Sequence, residues 1–229
     1  MLLSADYSQV ELRVLAHLSE DESLIDAFLK GEDIHTRTAV EIFGTTAERL
    51  DAESRRMAKA VNFGIVYGLS AFGLSRQLKI FPKEAKKFID QYFQLYGNVK
   101  KYMEETIDVA RKNGYTLTLM NRKRYLPDLN SKNRQAREAA ERIAINSPVQ
   151  GSAADLIKLA MINLDRKIKQ KKMKSKMILQ VHDELVFECP PHEEEEMRAL
   201  VKKEMEQVMP LKVPLVVDMG WGENWNDAH

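Results

Sequence analysis

Two aspartates in this sequence follow short apolar segments that have the character of strands. Asp6 follows LLSA, and Asp183 lies within MILQVHDELVFE, residues 177–188. Alternating apolar residues on either side of the HDE triplet predict a hairpin with its charges at the turn. A solvated hairpin tip is the simpler explanation of that triplet, because turns are usually polar. Two carboxylates brought together at strand ends, however, repel each other unless cations lie between them, and two-metal phosphoryl transfer requires this arrangement.

A second group of residues recurs every four positions in ESRRMAKAVNFGIVYG, residues 53–68. Arg55, Lys59, Phe63 and Tyr67 would be displaced from one another by only about 40° on a helix, so they would share one stripe. The two cations suit a polyphosphate, and an aromatic ring can lie against a sugar or base. The spacing alone is equally compatible with two core aromatics and two solvated cations.

A third group, Arg142, Asn146 and Gln150, has the same spacing in RIAINSPVQG. A cation and two amides can donate hydrogen bonds to minor-groove acceptors, which are nearly the same for every base pair. The group would then recognise the geometry of a duplex rather than its sequence. Amides that satisfy backbone groups near Pro148 are an equally good explanation from the residues alone.

The composition is that of a globular protein that can bury a core, with 229 residues, 44% of them hydrophobic, and a net charge of +1. Cations are concentrated in residues 166–176 and acids in residues 193–206. A solvated helix face is the simpler explanation of both segments, and it is favoured over a binding surface for the acidic one. The single Cys189 excludes an internal disulfide and fits a reducing compartment. No apolar run reaches membrane-spanning length, so we expect a cytoplasmic protein without membrane contact, and a monomer.

The elements that must position these groups form an α+β pattern. Strands at both ends of the chain and near residue 180 are expected to share one sheet, with helices dominating the middle. A small hairpin is expected around Asn121. The remaining expected elements are a strand at 2–9, helices at 53–67, 132–146, 149–170 and 192–209, and a last strand at 213–219.

Three local signals mark expected helix boundaries. Thr45 and Glu48 form a possible capping box, and Asn98 is a candidate N-cap for a helix that Gly114 ends. Pro148 is expected to separate two helices, because proline lacks the backbone N–H that a helix interior needs.

Three segments resemble, in order and in type, motifs A, B and C of the family A DNA polymerases, the bacterial DNA polymerase I group. They are DYSQVELR at 6–13, RRMAKAVNFGIVYG at 55–68 and QVHDE at 180–184. Supporting similarity lies in IHT at 34–36, YLPD at 125–128, INSPVQGSAAD at 145–155 and GENW at 222–225. The resemblance extends along the whole chain, and it favours the functional interpretation of each group above.

The resemblance implies an antiparallel palm sheet with a large helical fingers subdomain, the architecture of right-hand polymerases. The palm would comprise residues 1–30 and 131–229, and the fingers residues 31–130. The implied activity is template-directed addition of deoxynucleotides to a primer 3′ end, in DNA replication and repair. Primer-template DNA and deoxynucleoside triphosphates would be the partners.

The metal site implied by the resemblance holds two Mg²⁺ ions. Asp6 and Asp183 would bind them together with the backbone carbonyl of Tyr7. Glu184 would be an auxiliary acid, and His182 would contact DNA near the primer end.

Further roles follow from the matched positions. Arg55 and Lys59 would hold the triphosphate, with Lys59 also donating a proton to departing pyrophosphate. His35 would add a phosphate contact, and Phe63 would lie against the deoxyribose. Glu11, packed with Tyr67, would fill the space that a ribose 2′-hydroxyl needs. The resemblance also implies that Gln9 binds the nucleotide. Arg137 would bind DNA together with Arg142, Asn146 and Gln150.

In the family, a thumb and the first palm strands precede the segment that contains Asp6. We therefore expect the chain to be a C-terminal portion that is weakly active or inactive alone. A protein that binds nucleotide or primed DNA without turnover is an alternative. A two-metal nuclease would leave Arg55 and Lys59 unexplained, and Glu11 disfavours a single-subunit RNA polymerase.

Overall fold

The computed structural model describes residues 1–229, which form helices and two antiparallel sheets. Two compact units are present: one comprises Met1–Val10 with Ala153–His229, and the other Glu11–Ser152. The strands are β1 (Leu2–Tyr7), β2 (Tyr115–Leu117), β3 (Lys123–Tyr125), β4 (Lys176–Val181), β5 (Glu184–Glu188) and β6 (Val217–Gly222). The helices are α1 (Val10–Ser19), α2 (Glu22–Leu29), α3 (Ile34–Phe43), α4 (Ala52–Val66), α5 (Ala71–Leu78), α6 (Pro82–Leu95), α7 (Gly97–Asn113), α8 (Arg134–Gln170), α9 (Glu194–Glu206) and α10 (Trp225–Ala228). The predicted α+β class is confirmed.

The first unit is built on a four-stranded antiparallel sheet with the strand order β4-β5-β1-β6. Strands from both ends of the chain and from the region near residue 180 therefore share one sheet, as predicted. Helix α9 packs on β1 and β6 and buries four apolar residues, Met197, Leu200, Val201 and Met205. The Tyr7 hydroxyl donates a hydrogen bond to the Met205 carbonyl at 2.8 Å, which ties this helix to β1.

The second unit is helical, and four of its helices, α2 to α5, begin at a side-chain N-cap. Asp33 accepts a hydrogen bond from the His35 N–H at 3.0 Å at the start of α3. Asp51 accepts one from the Ser54 N–H at 2.6 Å at the start of α4. Helix α3 packs against α4 and α6, and α5 packs against α6. These contacts fix α4, the helix that carries the predicted nucleotide-binding stripe.

Helix α8 is continuous from Arg134 to Gln170, so the predicted break at Pro148 is wrong. A proline inside a helix costs about 3 kcal/mol. Buried apolar residues on both sides of it, including Ala144, Val149 and Leu156, keep helical spacing. Their packing outweighs the cost of the missing N–H.

The last strand also differs from its prediction, because β6 spans Val217–Gly222 rather than residues 213–219. Its limits follow from pairing with β1, where Tyr7 is opposite Val217 and Leu2 is opposite Gly222. Val213 and Leu215 are buried without belonging to the strand. Apolar alternation thus predicted the burial of this segment but not its hydrogen bonding.

Two predicted helix caps are wrong as well. Thr45 precedes a short 3-10 turn, Ala47–Arg49, that contains Glu48, and the long helix begins only at Ala52. Asn98 lies inside the first turn of α7 and donates a side-chain hydrogen bond to the Glu20 carbonyl at 3.3 Å. The helix end at Gly114 is confirmed.

No helix combines the length and the apolar composition that crossing a bilayer requires.

Candidate active site

Asp6 and Asp183 lie at the same end of the sheet in the first unit. Asp6 is on β1, opposite Glu184 on β5 and Asp218 on β6. The predicted hairpin forms as β4 and β5, and Asp183 is in the turn between them. The Tyr7 N–H donates a hydrogen bond to the Asp183 carbonyl at 3.3 Å, which holds the turn against β1. The two carboxylates that the sequence singled out are therefore neighbours.

The environment of Asp6 disfavours its negative charge. Partial burial, followed by the negative charges of Asp183 and Glu184, raises the pKa of Asp6 from 3.8 to about 6. His229 opposes this shift with a smaller effect. A carboxylate that is destabilised by neighbouring carboxylates gains strongly from a bound cation, so the donor set fits a metal ion.

Glu184 has a different environment from Asp6, although the two residues are paired across the strands. Its carboxylate is buried and accepts hydrogen bonds from Ser4 Oγ at 2.5 Å and Trp225 Nε1 at 2.8 Å. Burial by itself raises the pKa of Glu184, but these hydrogen bonds and His229 at 3.6 Å bring it below its ordinary value. Glu184 is thus held as an ionised group at the edge of the carboxylate pair.

The sequence analysis did not assign roles to Ser4 and Trp225, the two donors to Glu184. Trp225 is the last residue of the GENW segment, so the resemblance contained a signal for it. Ser4 had none, because a serine in a short strand is not distinctive.

Asp6, Asp183 and the Tyr7 backbone carbonyl remain as candidate metal donors. The structure has no cluster of three or more His, Cys, Asp or Glu side chains placed to hold a metal ion. Magnesium commonly binds through one or two carboxylates, with water and substrate phosphates as its other ligands.

Two residues beside this site have backbone conformations that L-amino acids seldom adopt. Gln9, directly after β1, has φ of 53°, and His182 in the hairpin turn also has φ of 53°. Such conformations cost of order 1 kcal/mol or more each and are enriched at functional sites. His182 is exposed, and its carbonyl accepts a hydrogen bond from Gln180 Nε2 at 3.0 Å.

The stripe on α4 lies in the second unit and is accessible to solvent. Lys59 is exposed and forms no ion pair, Phe63 is half-buried, and Tyr67 is 37% exposed at the C-terminal end of the helix. The aromatic rings of Phe63 and Tyr67 are stacked, with centroids 6.2 Å apart. They are not enclosed in an apolar core.

Arg55 has a partner that the sequence analysis missed. Its Nε and Nη2 atoms bind Asp33 Oδ2 at 2.7 and 2.6 Å. Asp33 also accepts hydrogen bonds from Thr36 and from the backbone of His35. These donors and Arg55 lower the pKa of Asp33 although its partial burial acts in the opposite direction. An anion that binds Arg55 must compete with this carboxylate.

Glu11 and Tyr67 are in contact, as the resemblance implied. The Tyr67 hydroxyl donates a hydrogen bond to Glu11 Oε2 at 3.1 Å, which joins the first turn of α1 to the end of α4. His35 also lies close to Phe63, with ring centroids 5.7 Å apart, and is 3% exposed.

A groove of about 670 Å³ runs beside α8 and contains all three members of the third group, Arg142, Asn146 and Gln150. Its opposite wall is the β2–β3 hairpin, which contributes three consecutive cations, Arg122, Lys123 and Arg124. The sequence analysis identified this hairpin but gave its cations no role.

The groove depends on a close approach of the hairpin to α8. A Cβ atom at Gly151 would lie 2.5 Å from Thr118 Cγ2, so only glycine fits there without displacement. Ser152 accepts a hydrogen bond from the Leu119 N–H at 2.9 Å and donates one to the Pro148 carbonyl at 2.5 Å. Pro148 thus contributes to the attachment of the hairpin to the helix.

Arg137 is on the same helix but does not line this groove. Its Nη1 donates a hydrogen bond to the Ser131 carbonyl at 3.1 Å, at the beginning of α8.

Comparison with known proteins agrees with this geometry. The family model of DNA polymerase family A matches residues 1–227. DNA polymerase I of Caldicellulosiruptor bescii is 56% identical over 228 residues, covering 100% of this chain and 27% of that protein. DNA polymerase I of Mycobacterium leprae is 52% identical over 227 residues, covering 99% of this chain and 25% of that protein.

A solved structure of the polymerase domain of Pol1 from M. smegmatis, in complex with DNA primer-template and dNTP, is also similar. It has a TM-score of 0.96 and 51% sequence identity, and the match covers 99% of this chain and 40% of that one. The chain therefore spans about a quarter of the length of the curated relatives described above. On this evidence, the chain belongs to DNA polymerase family A.

Proposed function

We propose that this chain is the catalytic region of a DNA-directed DNA polymerase, which adds deoxynucleotides to a primer 3′ end and releases pyrophosphate. The observation that carries the proposal is the pair of neighbouring carboxylates, Asp6 and Asp183, at one end of the sheet. Membership in family A and the similarity to a polymerase domain solved with primer-template and dNTP support it. Residues 1–30 and 131–229 are proposed as palm, and residues 31–130 as fingers.

Asp6, Asp183 and the Tyr7 carbonyl are the proposed ligands of two Mg²⁺ ions. When bound, such ions lower the pKa of an attacking hydroxyl and stabilise the charge on a leaving oxygen. The raised pKa of Asp6 supports this assignment, because cations would relieve the repulsion that causes it. Glu184 is proposed as an auxiliary acid, kept ionised by the donors that surround it.

The incoming nucleotide is proposed to bind along the α4 stripe. The primer 3′ hydroxyl gives its proton to water and its oxygen forms a bond to the α-phosphorus, while the bond from that phosphorus to the oxygen bridging it to the β-phosphate breaks. Arg55 and Lys59 bind the triphosphate, and Lys59 gives a proton to the departing pyrophosphate. His35 contributes a further phosphate contact, and Phe63 lies against the sugar.

Sugar selection is proposed to depend on the contact between Glu11 and Tyr67. A hydrogen-bonded carboxylate and phenol hold each other in place, so neither can easily move aside for a ribose 2′-hydroxyl. Gln9, which has a positive φ and lies two residues before Glu11 in the chain, is proposed to contribute to the same nucleotide site.

The groove beside α8 is proposed to hold primer-template DNA. Arg142, Asn146 and Gln150 would donate to base or sugar acceptors, while the hairpin cations would contact phosphates. His182 and Arg137 are further proposed DNA contacts. Replication and repair in the cytoplasm are the proposed setting, and a buried, unpaired Cys189 agrees with a reducing compartment.

Primer extension with Mg²⁺ and all four deoxynucleotides tests the proposal in a chimera, in which these 229 residues replace the matching segment of Mycobacterium leprae DNA polymerase I. Asp183→Asn should abolish extension. Glu188→Gln is the matched control, because Glu188 is exposed at the other end of β5 and should leave extension unchanged. Extension that survives Asp183→Asn would contradict the proposed catalytic role.

Nucleotide binding provides a second test that does not depend on turnover. Lys59→Ala should weaken binding of a deoxynucleoside triphosphate by about tenfold or more, the loss expected for a charge-assisted contact. Lys83→Ala, an exposed lysine on α6, is the control. Binding that depends on Lys59 without any extension would indicate a nucleotide-binding module instead of an enzyme.

A further inference from the structure

His35 belongs to a small buried network that joins α3 to α4. Asn62 Nδ2 lies 2.9 Å from His35 Nδ1. The Thr38 hydroxyl donates a hydrogen bond to Asn62 Oδ1 at 3.0 Å. Asn62 and Thr38 are fully buried and His35 is 3% exposed, so water cannot replace these partners.

The orientation of the Asn62 amide determines which ring nitrogen of His35 carries the proton. The amide oxygen accepts from Thr38, which leaves the NH₂ group facing the histidine. An NH₂ group can only donate, so Nδ1 must accept and cannot be protonated. The proton of the neutral ring is then on Nε2, the only other polar atom of the side chain.

The charges around His35 also oppose protonation. Burial has the largest effect on its pKa, and Arg55 and Lys59 on α4 act in the same direction. Asp33, before α3, acts in the opposite direction, and the result is a pKa lowered to about 4. The charged ring would also present an Nδ1 proton to the NH₂ group of Asn62, where no acceptor is available.

We propose that Asn62 is a positioning residue that keeps His35 neutral with its proton on Nε2, so that the ring offers a nucleotide phosphate a hydrogen bond rather than a positive charge. This inference rests on the proposed function, which places a triphosphate next to Arg55 and Lys59. Those two residues supply the charge, while a neutral ring with one donor adds direction to the contact. Thr38 takes part indirectly, by fixing the amide of Asn62.

Nitrogen NMR of the chain labelled with ¹⁵N-histidine tests the proposal, because the two tautomers and the charged ring have different nitrogen resonances. In the unmodified protein His35 should show an unprotonated Nδ1 and a protonated Nε2, unchanged from about pH 7.5 to about pH 5.5. A proton on Nδ1 anywhere in this range would overturn the proposal. This measurement needs no substitution, so it does not depend on any variant folding.

The substitution Asn62→Asp should reverse the pattern. A carboxylate only accepts, so Nδ1 must gain a proton whether the ring is neutral or charged. An unprotonated Nδ1 in this variant would contradict a controlling role for Asn62. Asn98→Asp is the control, since Asn98 contacts the Glu20 carbonyl at the start of α7 and should not affect His35. The other four histidines of the chain report whether each variant keeps its fold.

Titration with dATP separates this inference from the function on which it rests. The Nε2–H resonance of His35 should shift as dATP binds, while Nδ1 stays unprotonated. If the tautomer is as proposed but dATP shifts no resonance of His35, the proposed nucleotide site is wrong and so is the phosphate contact. If dATP binds but the ring carries its proton on Nδ1, only the present inference is wrong.

Discussion

Replacing Asp6 with Asn should stabilise the metal-free chain while removing a proposed metal ligand. The expected stabilisation comes from removing the negative charge of Asp6. The ionised carboxylate is destabilised by partial burial and by Asp183 and Glu184, and these raise its pKa from 3.8 to about 6. An amide has nearly the same shape as the protonated acid and carries no charge.

The expected gain follows from that shift. One pKa unit corresponds to about 1.4 kcal/mol, so a difference of about two units sets an upper limit of about 3 kcal/mol. Asp6 is only half-buried, and solvent screening reduces the expected gain to about 1–2 kcal/mol.

The gain should depend on pH in a defined direction. The pKa of Asp6 is higher in the folded chain than in the unfolded chain, so the protonated acid favours the folded state. This contribution to the free energy of unfolding is complete below about pH 3.8 and is lost as the pH rises through about 6. The advantage of Asp6→Asn should therefore be largest near pH 8 and should fade towards pH 4. Urea denaturation in EDTA, repeated across this range, measures it.

Asp218→Asn is the matched control, since Asp218 pairs with Asp6 from β6 but is exposed. It should change the free energy of unfolding by less than about 0.5 kcal/mol. Adding Mg²⁺ should stabilise the unmodified chain and narrow the difference from Asp6→Asn, because only the unmodified site retains both carboxylates. The reasoning would be refuted if Asp6→Asn were no more stable than the unmodified chain near pH 8. It would also be refuted if the gain in stability were the same at all pH values.

Three further predictions concern the groove and the sugar site. Gly151→Ala should destabilise the chain by about 1–3 kcal/mol in urea denaturation, because its Cβ would lie 2.5 Å from Thr118 Cγ2, and adding Thr118→Ser should restore most of the loss. Arg124→Ala should weaken duplex binding and reduce the slope of log K against log salt by about 1, measured by fluorescence anisotropy between about 50 and 200 mM salt; an unchanged slope would place Arg124 away from the phosphates. In a chimera that carries these 229 residues in place of the matching segment of a complete DNA polymerase I, Glu11→Ala should raise ribonucleotide incorporation relative to deoxyribonucleotide in a competition assay. An unchanged ratio would show that the contact with Tyr67 does not select the sugar.

Local patterns predicted most of the site-bearing elements. Alternation around the HDE triplet predicted the β4–β5 hairpin, and the four-residue spacing predicted α4 to within one residue at each end. Both signals succeed because they depend on which face of an element is buried. The proximity of Asp6 to Asp183 could not be deduced this way, since it depends on strand order, and only the family resemblance implied it.

Two of the failures, at Pro148 and at β6, share a physical cause. Pro148 was expected to end a helix because proline lacks a backbone N–H. The buried apolar residues of α8 on both sides of Pro148 outweigh this local cost. The limits of β6 depend on the length of its partner, β1. In both places the deciding interaction is with a residue distant in the sequence, and no local pattern contains it.

The ion pair between Arg55 and Asp33 also joins residues that are distant in the sequence. It affects the proposed binding of a nucleotide, because Arg55 is a proposed phosphate contact. The two side chains are 47% and 34% exposed, so their pairing contributes at most about 1 kcal/mol. In the proposed nucleotide site, a bidentate contact from Arg55 to a phosphate would contribute about 1.5–3 kcal/mol, so the exchange of partners would be favourable. Asp33 stays satisfied afterwards, because Thr36 and the His35 N–H still donate to it. If Arg55 binds the nucleotide as proposed, the Asp33 carboxylate would hold the guanidinium in place beforehand and would compete only weakly with the bound phosphate.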